Sequence, residues 1–264
     1  MRARVTAGTA AAAVLLTGAA GCSSSSGGDA RADAGGDARG VAVATDDTVH
    51  AAQHVKLKGA EYVKLTGVGG AAADAASNKA LRGPIEWAVR WTGATMQAEQ
   101  KAECKDRDNV VQTKVRLGLQ KDVVSAANAI QMIPCYEGEG ALPTIPVTVD
   151  TRTGKEITPA DALKSTDAAG LGRLFDALSG PKQDWKECDL GSLGPDALKP
   201  SAADDAGGVE EPPAAGLLFT REGVELIWST VGTDCNDFTF TAPYAKVRDL
   251  LEPGLLKRLQ DAAR

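Results

Sequence analysis

Val110-Val-Gln-Thr-Lys-Val-Arg-Leu-Gly-Leu119-Gln-Lys-Asp-Val123-Val-Ser-Ala-Ala-Asn-Ala-Ile-Gln-Met-Ile133 has the period of two that marks half-buried strands. It reads as strands over 110–119 and 123–133, joined by a tight turn near Gln120 and Lys121. A register that sets Val115 opposite Val124, with Leu117 near Asp122, also sets Cys104 opposite Cys135 at the open end of the hairpin. Four cysteines downstream of residue 22 allow three pairings in principle. This geometry favours Cys104 with Cys135, which leaves Cys188 for Cys235. A zinc site is the competing reading, but the chain has no C-x-x-C pair to start one.

Downstream lies Val147-Thr-Val-Asp-Thr-Arg-Thr-Gly-Lys-Glu-Ile-Thr-Pro-Ala-Asp-Ala-Leu163. A strand ending in Val147 and Val149 runs into a turn where Gly154 can take positive φ, and extended structure resumes at Ile157. A helix then starts with Thr158 as cap, Pro159 in its first position and Asp161 facing the helix dipole. A second helix spans 167–178 and stops at Gly180-Pro181. The Pro-, Gly- and Asp-rich run 182–215 reads as a long loop held down at Cys188. Strands follow over 217–220, 224–229 and 238–240, with a turn at 221–223. A helix opened by Pro243-Tyr244 runs through Leu251, is interrupted at Pro253-Gly254, and gives way to an amphipathic helix over 255–263.

Upstream, folding is expected to begin near Val55, with strands over 55–57 and 62–65. Gly67, Gly69 and Ala72 loosely echo a dinucleotide-binding turn, but no repeating strand-helix-strand pattern follows, so no cofactor is expected. A helix opened by Pro84 carries Ile85, Ala88, Val89, Thr92 and Met96 along one side. Trp87 and Trp91 share another face, where they would grip a ligand if exposed; burial is the better reading in a chain with only 4% aromatics. The fold class is therefore α+β: an antiparallel sheet with packed helices and two disulfides.

The N-terminus sets the compartment. Arg2 and Arg4 precede an uncharged run from Val5 to Leu16, too short for a spanning helix of roughly 20 residues. Small residues then lead to Cys22 and four serines, which resembles a bacterial lipobox with Cys22 as the lipidated residue. Residues 1–21 read as a lipoprotein signal peptide, 22–47 as a flexible Gly-, Ala- and Asp-rich tether, and 48–264 as an extracellular α+β domain on the outer face of the cell membrane. Loss of Arg2 and Arg4 takes the formal charge from −6 to −8, which argues against a nucleic-acid partner.

Several motifs carry a resemblance. Val123-Val124-Ser125, Gly138-Glu-Gly140-Ala141, Val149-Asp150-Thr-Arg-Thr-Gly154-Lys-Glu-Ile157-Thr, Leu218-Phe219-Thr-Arg-Glu-Gly223-Val224 and Ala242-Pro243-Tyr244 together resemble the extracellular domain of RsiV-type anti-sigma factors, over about 55–259. That domain is also similar to the non-catalytic N-terminal portion of the PdaC peptidoglycan deacetylase. The resemblance implies a module that binds lysozyme and senses envelope attack. It transfers no functional residue, since the matching motifs are structural. The chain lacks the sigma-binding segment and spanning helix of the one relative and the deacetylase domain of the other.

Independent chemistry is thinly supported. His50 and His54 would share a helix face, but the metalloprotease pattern needs Glu where Ala51 stands, and a solvated pair is the simpler reading. No G-x-S-x-G elbow is present. Asp150 with Asp161, or Asp234 with Asp237, are the carboxylate pairs available to a glycan hydrolase, and 234–237 the loop available to calcium. Each has a structural reading as a turn or cap residue. The expectation is a non-enzymatic binding or sensing module with a protein or wall-polymer ligand; a hydrolase and a spacer without ligand are the rivals.

Overall fold

The computed structural model describes residues 40–138, 140–202, 207–232 and 235–264; the signal peptide, Cys22 and Asp234 lie outside them. In chain order the elements are β1 (Gly40–Asp46), β2 (Val49–His50), β3 (Val55–Leu57), β4 (Ala60–Thr66), α1 (Ala71–Thr95), α2 (Ala98–Cys104), β5 (Asn109–Gln120), β6 (Val123–Ile133), β7 (Ala141–Asp150), α3 (Pro159–Ala162), α4 (Ala168–Ala177), α5 (Lys182–Glu187), β8 (Ala215–Phe219), β9 (Gly223–Trp228), β10 (Phe238–Pro243), α6 (Tyr244–Val247) and α7 (Pro253–Ala263). The strands form sheets ordered β2-β3-β5-β6-β7, β10-β9-β8 and β1-β4. Every pairing is antiparallel except β3 with β5. The α+β class and both disulfides, Cys104–Cys135 and Cys188–Cys235, are as the sequence indicates.

The central hairpin differs from its expected register. Val115 lies opposite Asn128 rather than Val124, and the two-residue connection is Lys121-Asp122. The strand bounds are nearly those expected, but the turn falls one residue later and a bulge at Gly118 takes up one residue between Leu117 and Leu119. Up to Leu117 the slip is an even number of residues, so those side chains keep their faces; past the bulge it is odd, and Leu119 packs with the C-terminal cluster while Leu117 packs on the α1 side. Cys104 therefore reaches Cys135 by another route. It sits at the end of α2, whose return to β5 is organised by Asn109, with Oδ1 accepting from the Cys135 N–H and Nδ2 donating to the His54 carbonyl.

Strand β6 is buried from Val123 to Asn128, on both faces of the sheet. One face meets α1 through Leu81, Val124, Ala126, Val147 and Val149. The other meets the three-stranded sheet through Ala127, Leu218 and Ile227. Two glycines permit that contact: a Cβ on Gly118 would lie 2.1 Å from the Phe219 carbonyl oxygen, and one on Gly216 would lie 2.3 Å from Pro146 Cγ. Ser125, in the buried first half of β6, links the layers, with its Oγ 2.7 Å from Thr148 Oγ1 and accepting from the Phe219 N–H.

Helix α1 begins at Ala71, not at Pro84, which lies inside it. The alanines of its first turns are strong helix formers, and burial of Leu81, Ile85 and Ala88 carries the helix through the one hydrogen bond that Pro84 cannot donate. Asn78 ties it to β4, accepting from the Leu65 N–H and donating to the Leu65 carbonyl.

The folded chain also starts earlier than expected. Residues 40–46, assigned to the tether by composition, pair along their whole length with β4. Asp46 then bonds Arg82 of α1 and the backbone and hydroxyl of Thr48. Glu61 of β4 reaches the edge of β5, accepting from Lys114 Nζ and the Val115 N–H.

Further on, the expected loop 182–215 contains α5 and a short 3-10 turn at Pro195–Leu198, because Trp185 and Leu193 are buried and anchor it. The helix expected through Leu251 ends at Val247, and Leu251 instead forms a bridge with Leu163. No described helix is long and apolar enough to cross a membrane.

Candidate functional site

A cavity of about 290 Å³ opens where β7 and the segment after it face β8. Its floor and walls are Ile145, Pro146, Val147, Ile157 and Leu217, with Pro159, Leu198, Pro200 and Pro213 around the rim. The Asp150 to Lys155 turn builds one side. The Gly154 N–H donates to the Asp150 carbonyl at φ +73°, the Asp150 N–H to Lys155, and the Ile157 N–H to Thr148, so the returning chain lies alongside β7. Thr158 and Asp161 then form a reciprocal capping box at α3.

The other side is the edge of β8. Ser229 N–H donates to Ala214 and Thr220 N–H to Gly223, so alternation turns the backbone of Ala215 and Leu217 away from β9. On the β7 side, Pro146 offers no N–H, which blunts that edge against a further strand. The cleft is thus preformed by backbone ladders on both sides.

Among the described residues, Glu156 is the single charged one in the lining. The residue as a whole is exposed, but desolvation of its carboxyl, and then the charge of Asp161, push that carboxyl above its ordinary value. Asp161 moves the other way: hydrogen bonds from Lys155 and Thr158 hold it at about 2. The described lining is mostly aliphatic and proline side chains around one carboxylate, which suits an apolar segment with a cationic or neutral group near Glu156.

The residues singled out in the sequence fall elsewhere. Trp87 and Trp91 stack at 5.5 Å between centroids and are 8% and 7% exposed; Trp87 Nε1 donates to the Glu210 carbonyl. They are core, and present no ring face to a sugar. Asp150 is paired with Arg152 and Arg258, and Asp161 with Lys155, so neither carboxylate is a free acid or base. Asp237 accepts from Ser229 Oγ. His50 ends β2 and His54 has φ +53° after a 3-10 turn, so they are part of the fold and do not share a helix face. Among the described residues no three His, Cys, Asp or Glu side chains cluster as metal ligands.

The glycine turn before α1 is a strand-turn-helix junction, as its echo suggested. Its donors are already taken, however: the Asp74 carboxylate accepts from the N–H groups of Gly67, Val68 and Gly69, where a phosphate would have to sit. Sequence reasoning missed Pro146 and Glu156 as cleft residues. The usable signal was Pro146 inside an otherwise regular strand, which marks an edge.

No family model matches the sequence, and no curated protein does. In structure the chain is similar to a member of the DUF3298 family from Bacteroides fragilis, with a TM-score of 0.44 and 8% identity, over 78% of this chain and 88% of that one.

Proposed function

We propose that the chain is a lipid-anchored, extracytoplasmic binding or sensing module of the bacterial envelope, with no enzymatic activity, whose ligand is a protein or a wall polymer docking in the cleft between β7 and β8. The observation that carries this reading is the cleft itself: a preformed, apolar, proline-rimmed cavity with one unpaired carboxylate. Two disulfides support an oxidising compartment, and the Arg-flanked apolar run ending in Cys22 supports export and anchoring through that residue. The resemblance to RsiV-type extracellular domains makes lysozyme the first protein ligand to try. The hydrolase reading is disfavoured by the cationic partners of Asp150 and Asp161.

The test is retention on immobilised lysozyme and on purified peptidoglycan, with glycan cleavage assayed in parallel. Retention without cleavage, weakened at least tenfold by Glu156→Arg or Pro200→Trp, is expected. Cleavage would replace this reading with the hydrolase, and absence of both would replace it with the spacer. Retention untouched by the two substitutions would move the site away from the cleft.

A further inference from the structure

We propose that the Cys188–Cys235 disulfide is a thiol-exchange site, attacked at Cys235 by a dithiol reductant under conditions that leave Cys104–Cys135 closed. This goes beyond the binding reading and does not depend on it. The two bridges differ in access. Cys104 and Cys135 are 0% and 7% exposed and share a small apolar cluster with Met96 and Tyr136. Cys235 is exposed and Cys188 half-buried. An attacking thiolate must approach one sulfur from the side opposite the bond it breaks, so exchange follows exposure, and exposed bridges are the labile ones.

The surroundings of the open bridge are suited to reversible breakage. Cys235 has φ +53° and Asp237 φ +58°, conformations costly for residues with a side chain. The turn is nevertheless held by its own side chains. Asn236 bonds the Thr230 N–H, the Thr230 carbonyl and the Gly232 carbonyl, and Ser229 bonds Asp237.

Across the bridge, α5 is held by Trp185, which is 3% exposed, donates Nε1–H to the Gly191 carbonyl, and meets Trp228, Phe238 and Phe240 edge-on. Each cysteine lies in a segment with anchors besides the bridge, so reduction should leave two thiols in place, with Cα atoms near their present 5.6 Å.

In the exchange, one thiolate of the dithiol attacks Cys235 Sγ and the protein S–S bond breaks. Cys188 leaves as a thiolate and takes a proton. The second thiol of the reductant then attacks the mixed disulfide, and Cys235 leaves and is protonated in turn. Two protein thiols and one oxidised dithiol result.

The experiment treats the oxidised full chain with dithiothreitol without denaturant, quenches with iodoacetamide at intervals, and maps the alkylated cysteines by mass. Cys188 and Cys235 should be alkylated at least tenfold faster than Cys104 and Cys135, with far-UV circular dichroism unchanged. Oxidised dithiothreitol or glutathione should then restore the original bridge. In a Cys188→Ser variant, the freed Cys235 should form a mixed disulfide with oxidised glutathione in the folded state. Equal rates for the two bridges, alkylation that appears only as the circular dichroism is lost, or a folded variant whose Cys235 does not react, would overturn the proposal.

Discussion

Helix α1 on the five-stranded sheet and the aromatic cluster of the C-terminal half fill their interiors differently. On α1, Leu81, Ile85, Ala88 and Thr92 recur every three or four residues and lie along β4 and the five-stranded sheet, with Trp87 and Trp91 stacked beside them. In the C-terminal half, Trp185 of α5 gathers Phe175 of α4, Trp228 of β9, and Phe238 and Phe240 from one face of β10. The first interior is a stripe along one element. The second has a hub, Trp185, which joins α5 to α4 and to the β9-β10 ladder.

The largest effect should come from removing that hub. Trp185→Ala deletes a fully packed indole and its four ring contacts, and should cost about 3–5 kcal/mol in urea unfolding, the range for large aromatic truncations. Trp87→Ala should cost less, because Trp91 retains the neighbours of α1 and the helix is also held by Asn78 on β4. A Trp87→Ala variant less stable than Trp185→Ala would break the contrast.

Glycine to alanine at two positions separates the regions next. At Gly118 the new Cβ meets the Phe219 carbonyl, backbone that cannot swing aside, so Gly118→Ala should destabilise by about 1–3 kcal/mol. At Gly172, inside α4 with nothing within 4 Å, the same change should stabilise by about 0.5–1 kcal/mol through helix propensity. Thermal unfolding of the two variants should shift in opposite directions.

How much could be read in advance follows the same division. The strands 110–119 and 123–133, the turn at Gly154 and the cap at Thr158 depend on neighbours within a few residues, and all appear. The hairpin register was misplaced because two turns of similar quality compete around Gln120, and only the bulge at Gly118 and the layer above it decide between them. Strand β1 was hidden because Gly-Val-Ala-Val-Ala-Thr-Asp looks like linker until β4 is there to pair with it. The cleft was hidden for the same reason: its lining comes from four stretches, 145–148, 156–159, 198–200 and 213–217. Composition marks a stretch as poor in core residues, but it cannot say which few of them converge.

Strand β1 offers a pH test of its own. Burial raises the Asp46 carboxyl, but hydrogen bonds from Thr48 and Arg82 outweigh it and hold the group at about 2. Its folded value lies below the unfolded one of 3.8, so its contribution is complete above about pH 5 and is lost as pH falls toward 2. Asp46→Asn should lose about 1–2 kcal/mol at pH 7 and much less near pH 2, where the parent carboxyl is already about half protonated. Equal losses at both pH values would mean that the pair with Arg82 does not anchor β1.

The smallest effect belongs to the most local element. Thr158 closes α3 by accepting from the Asp161 N–H while Asp161 accepts from the Thr158 N–H and hydroxyl, all within four residues. Thr158→Ala should cost about 1 kcal/mol, the usual loss of a cap. It should speed amide exchange at Asp161 and Ala162 while the fluorescence of Trp185 and Trp228 stays as in the parent. A cap that reads clearly from sequence does so because it needs nothing distant, and for that reason its loss should not travel. If Thr158→Ala also disturbed the aromatic cluster, α3 would be coupled to the C-terminal interior through Ala162 and Leu163, which are buried in it, and the line between local and convergent structure would have to be drawn on the far side of the cleft.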